Sequence, residues 1–170
     1  MARTRRAGHR TRHGEPAVEL REAVDAFVLG DRLAENLPDV AGDALVAGYD
    51  SPALRELAGL RGGDSEELRK LFRKALQELN EPLPAPSEAG LSLARRIASE
   101  IVKGTIRPYE GARQIWWKIY VRFPDLEELV VFVGCASEWE DDRRHREDYE
   151  RDIVEESRKL LSRAAPGTTP

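Results

Sequence analysis

The residues of this chain whose types and spacing could do chemistry lie close together. Glu138, Asp141, Asp142 and His145 fall at i, i+3, i+4 and i+7. On an unbroken helix the four would share one face, and carboxylate oxygens with an imidazole suit Mg, Mn or Zn. They would be half a site, needing acids from a second helix as in the carboxylate metal centres of helical bundles, and no Glu-x-x-His occurs in the chain. A metal-dependent hydrolase using Glu138, Asp142 and His145 is therefore the alternative reading. A plainer one makes the segment a solvated helix junction at which Asp141 or Asp142 starts the last helix.

The reading adopted is an interface. Trp139 stands among Glu138, Glu140, Asp141 and Asp142, and an aromatic rimmed by acids is one way in which protein surfaces are anchored. Trp117, flanked by charge and off the apolar stripe of its own helix, joins the set. The expected partner-binding residues are thus Trp117, Glu138, Trp139, Glu140, Asp141 and Asp142, with no catalytic residue, metal or cofactor. The partner is another protein, met by the acidic 136–150 surface.

Other chemistry has less to stand on. Cys135 sits in an apolar run, where burial raises a thiol pKa and makes it inert. His9 and His13 lie in an arginine-rich leader, so a Ser/His/Asp or Cys/His site would rest on His145 alone. No GxxxxGK[ST], GxGxxG or HExxH is present, and Gly62-Gly63-Asp64 is a turn and cap.

Positioning these residues is a task for helices. The 170 residues are enough for one domain with a sizeable core, and a single cysteine rules out an internal disulfide and suits a reducing cytosol. The longest apolar run, 129–136, is far short of the roughly 18 residues of a membrane span, and the basic start has no apolar segment behind it, so a cytoplasmic protein is expected. The net charge of −4 is uneven. Residues 1–15 carry five arginines against Glu15, and the rest is correspondingly acidic. A folded part of that sign disfavours nucleic acid as a partner, except by way of the arginine-rich tail.

Along the chain, 1–15 reads as a disordered basic tail and 164–170 as a second tail. Leu20, Val24, Phe27 and Val28 mark a helix from Pro16, interrupted by Gly30 and ended by Pro38. Ser51 and Pro52 open a short helix that Gly59 closes, and Asp64 with Glu67 forms a capping box for a helix reaching about Asn80. The proline-rich 81–86 is a stiff linker. Ser87 caps the next helix and Gly104 stops it; Pro108 opens another whose stripe includes Trp116 as core. Asp125 with Glu128 caps the run 129–136, which reads as helix because no partner strand exists. A charged last helix spans about 143–163. The expectation is an all-α fold, a single compact domain over 16–163 with about seven helices joined by short loops.

Three segments, AGYDSPALRELAGL (47–60), GTIRPYEGARQIW (104–116) and ASEWEDD (136–142), resemble a group of small uncharacterised proteins from high-GC actinomycete bacteria, a likeness covering most of 38–163. The resemblance implies a bacterial origin and a helical fold and carries over no catalytic residue. The leader lies outside it. For function the expectation is a non-enzymatic, acidic helical interaction module, an immunity-type or toxin-neutralising protein being one concrete form, because an acidic surface complements a basic nuclease. Deleting residues 1–14, which hold almost nothing apolar to bury, is expected to leave the thermal midpoint within about 2 °C of the intact chain in a melting curve.

Overall fold

The computed structural model describes residues 16–31 and 33–163; the expected tails lie outside the described residues. Among the described residues there are eight α-helices and no strand. They cluster into two compact units, residues 16–24 with 33–82, and residues 25–31 with 83–163, the division after Pro82 falling inside the proline-rich segment.

In the first unit, the opening half of α1 (Pro16–Leu29) buries Leu20 and Val24, one turn apart on a single face. A 3₁₀ turn (Ala34–Asn36) leads into α2 (Leu37–Val46). This helix adds one to the expected number. Pro38, read as a terminator, sits in its first turn, where the missing N–H costs nothing. The N-terminus of α3 (Pro52–Gly59) is held twice: Ser51 Oγ accepts from the Leu54 amide at 3.2 Å, and Glu78 Oε2 from the Ala53 amide at 2.8 Å. The second bond is the main reason that the Glu78 carboxyl is held below its ordinary range. Glu78 ends α4 (Ser65–Glu78), whose Leu68, Phe72, Ala75 and Leu76 are buried where it packs on α3 and α2. Asp64 takes the N-cap position without a side-chain bond, so the capping box is not formed. The end of α4 is as expected: Asn80, at φ 56°, adopts the left-handed conformation that a short polar side chain tolerates.

In the second unit, α5 (Pro86–Lys103) begins one residue before the expected Ser87 cap. Glu88 Oε2 accepts from the Ala85 amide at 3.0 Å, but alanine returns no acceptor, leaving half a capping box. Gly104, at φ 72°, closes the helix. Then α6 (Pro108–Gln114) runs into a π-helical stretch, Ile115–Tyr120, in which the Val121 amide reaches back to Trp116 O at 3.1 Å. In this wider turn Ile115 and Ile119 face inward, Trp116 is only half-buried, and Trp117 points out. Trp116 is thus a flank of the core rather than part of it.

A 3₁₀ turn (Glu127–Leu129) precedes α7 (Val130–Asp141) and a break precedes α8 (Arg146–Ser162). The apolar run 129–136 is therefore helical, with Leu129, Phe132 and Ala136 inward at i, i+3 and i+7. Asp125 does not cap it. Helix α8 packs on α5, α6 and α7, and α6 packs on α5 and α7, around a core centred on Ile97, Ile101, Ile115, Phe132, Ile153 and Leu160. Ser157, fully buried on α8, satisfies its hydroxyl on Ile153 O at 2.8 Å. The buried carboxylate of Asp25, in the closing half of α1, accepts from Ser92 Oγ at 2.6 Å and Arg96 Nη1 at 2.7 Å.

Two glycines separate packing from propensity. A Cβ on Gly111 would stand 2.5 Å from Ile101 Cδ1 and Cγ1, whereas one on Gly134 would meet nothing within 4 Å. In denaturant melts Gly111→Ala is expected to cost about 1–3 kcal/mol by overpacking. Gly134→Ala, in an open helix position, is expected to stabilise by up to about 1 kcal/mol.

Candidate functional site

Helix α7 is the element on which the expected site residues converge. Its positions advance by about 100° each, so Val130, Val131, Gly134, Glu138 and Asp141 occupy one face opposite the buried Phe132 and Ala136. Val130 and Val131 are 46% and 45% exposed. A helix that is apolar all round is ordinarily covered all round; the apolar first turns of this one are covered on one side.

The helix stops at Asp141, and this breaks the expected four-residue face. Asp142 is extended, with Oδ1 accepting from the Arg144 amide at 2.9 Å and Oδ2 lying 2.6 Å from His145 Nδ1. The His145 contact is the leading cause that holds the Asp142 carboxyl below its ordinary range. Asp142 thus folds the turn between α7 and α8 without capping α8, whose N-cap position is His145. Among the described residues no three His, Cys, Asp or Glu side chains are grouped so as to hold a metal ion.

Trp139 lies on the inner flank of α7, half-buried. Tyr109 stacks on it at 3.8 Å between ring centroids and 13° between planes, and the Arg146 guanidinium carbon lies 3.8 Å from its centroid. Two groups that close to one ring must take opposite faces, so the indole is a filled sandwich joining α6, α7 and α8. Arg146 Nε also donates to Trp139 O at 3.0 Å, while the indole N–H is buried without an acceptor among the described residues. Glu140 turns to the same flank, accepting from the Tyr109 hydroxyl at 2.6 Å. Glu138 and Asp141 are left on the outward face with the valines. Trp117 is elsewhere, 55% exposed beside the end of α1 and the middle of α5.

Three titratable groups on or beside α7 are shifted upward. The Tyr109 hydroxyl is pushed up, first by its bond to Glu140. Tyr149 on α8 is pushed up by burial and then by the charges of Asp142 and Glu138. Cys135 is pushed up by burial and then by Asp152 and Glu156. Tyr109, Arg146 and the exposed valines were not singled out by sequence; the only signal was an apolar run too long for a helix covered on one side.

No protein-family model matches the chain, and no curated protein or solved structure is significantly similar to it.

Cys135 is half-buried rather than buried. Thiolate is the reactive form, and a raised pKa means less of it at any pH below that value. Native labelling by iodoacetamide is expected to be slower than in urea at pH 8. It should climb about tenfold per pH unit without levelling near pH 9, where an ordinary thiol does. A rate at pH 8 equal to that in urea would contradict this.

Proposed function

We propose that this protein is a non-catalytic interaction module that docks a basic protein surface on the outward face of α7. The observation that carries the reading is the composition of that face. Val130, Val131 and the side-chain-free Gly134 are exposed in line with Glu138 and Asp141, giving an apolar first half with an acidic end. Neither feature helps the fold. Exposed valines gain little from burial, an open glycine inside a helix costs about 1 kcal/mol, and acids in a last helical turn oppose the macrodipole.

The role of each residue follows from its direction. Val130 and Val131 supply apolar contact, Gly134 admits a close backbone, and Glu138 and Asp141 steer a cationic partner. Asp142 fixes the turn, Trp139 braces the helix on its inner flank and Glu140 ties it to the Tyr109 hydroxyl, so these three position the surface. Trp117 takes no part in it. A toxin or nuclease with a basic surface is the partner class that such acids fit, and the cytoplasm is the setting that a lone unpaired thiol suits.

The test is site-specific photo-cross-linking from position 131 in living cells of the source organism, followed by kinetics with the captured protein. One dominant adduct is expected. Glu138→Lys with Asp141→Lys should slow its association about tenfold at low salt and much less at 0.5 M, with the melting temperature retained. A partner whose association ignores both the double substitution and salt would refute the reading.

A further inference from the structure

The closing turns of α1, the middle of α5 and the π-helical stretch enclose an open cleft of about 470 Å3, within the size range of small-ligand sites. Its apolar walls are Leu29 of α1, Leu93 of α5 and the indole of Trp117. The indole is 55% exposed yet held in plane by stacking on Trp116, at 4.9 Å and 16°, so it offers a fixed flat surface.

Charge at this cleft is opposite to that of the chain as a whole. Arg96, Lys118 and Arg122 line it against one carboxylate, Asp31. The protein already uses both guanidinium groups: Arg96 holds the buried Asp25, and Arg122 bridges Leu29 O at 2.8 Å and Asp31 Oδ1 at 3.5 Å. Lys118 Nζ contacts a neutral partner, the Gln114 side-chain oxygen at 3.1 Å. One cationic charge is therefore not balanced by the described residues, beside a flat apolar wall. The π-helical turn is a second, independent sign. Such turns are rare, arise mostly as single turns within α-helices and are frequent at functional sites, and this one carries both Trp117 and Lys118.

We propose that the cleft binds a small organic monoanion with a flat apolar body, an aromatic carboxylate being the simplest case. The ring lies against Trp117, Leu29 and Leu93, and the carboxylate meets Lys118, with Arg122 beside it. A dianion is disfavoured, since a second charge would meet guanidinium groups already engaged and the Asp31 carboxylate. The site is independent of the α7 face.

The probe is 2-naphthoate titrated into the full chain, with 2-naphthylmethylammonium as its cationic counterpart. Binding is followed by calorimetry and amide and indole N–H chemical shifts. Naphthoate is expected to bind with shifts centred on the Trp117 indole, Leu29, Leu93 and Lys118, and the ammonium compound at least tenfold more weakly. Lys118→Gln and Trp117→Ala should each weaken naphthoate at least tenfold; both side chains are exposed, and Lys118→Gln keeps the test valid should Trp117→Ala unfold. No saturation up to millimolar naphthoate, equal binding of the two compounds, or shifts clustered on α7 would overturn the proposal.

Discussion

A carboxylate without exposed surface has to be matched by charge and hydrogen bonds, and much of the second unit follows from how Asp25 meets that demand. Its Oδ2 takes Ser92 and Arg96 together, whereas Oδ1 has no partner among the described residues. Incompletely satisfied buried pairs of this kind add little net stability, but stripping one partner away strands a charge at about 3–5 kcal/mol. The pair therefore acts as a locator. It seats the closing half of α1 on α5, and the chain just beyond it, at Leu29 and Asp31, is then in place to receive Arg122 from the end of the π-helical stretch. Three elements far apart in sequence are tied by two arginines, and the cleft is the space left between them.

Small residues set how closely the other helices approach. Gly111 lets α6 lie against Ile101 of α5, and Gly90 leaves room for Phe123 and Ile119. Ala94, Ala98, Ala112 and Ala136 continue the same economy of volume through the core. With helices this close, the larger aromatics have no room at the centre. Trp116, Trp117, Tyr109 and Trp139 lie on flanks or outside, where they stack on one another and on Arg146. Placement of the aromatics is a result of the glycines and alanines.

Much of the helical fold was legible in the sequence because its signals are local. Ser51 with Pro52, Gly59, Asn80, Gly104 and Pro108 mark boundaries that the structure keeps, and the 3.6-residue spacing of Leu68, Phe72, Ala75 and Leu76 identifies a buried face directly. Signals with two physical meanings misled. Proline both stops and starts helices, and at position 38 it starts one. An acid followed three residues later by another resembles a capping box, but at Asp64 and Asp125 the bond is not made. The candidate site was less legible still. Glu138, Asp141, Asp142 and His145 share a face only on a helix that runs through Asp142; the junction reading placed a break at Asp141 or Asp142, and the helix ends at Asp141. That Glu140 faces Tyr109 and Trp139 faces Arg146 depends on pairings seven to 31 residues apart, which periodicity does not encode.

The sharing of α1 between two units has a consequence for synthesis. Ser92 and Arg96 follow Asp25 by 67 and 71 residues. At about 5–20 residues per second the ribosome makes Asp25 roughly 3–14 seconds before its partners. Leu20 and Val24 belong to the first unit, whose last residue is Pro82, whereas Leu29 belongs to the second, most of which is translated later. The nascent chain thus carries one helix whose opening half completes its packing before its closing half does.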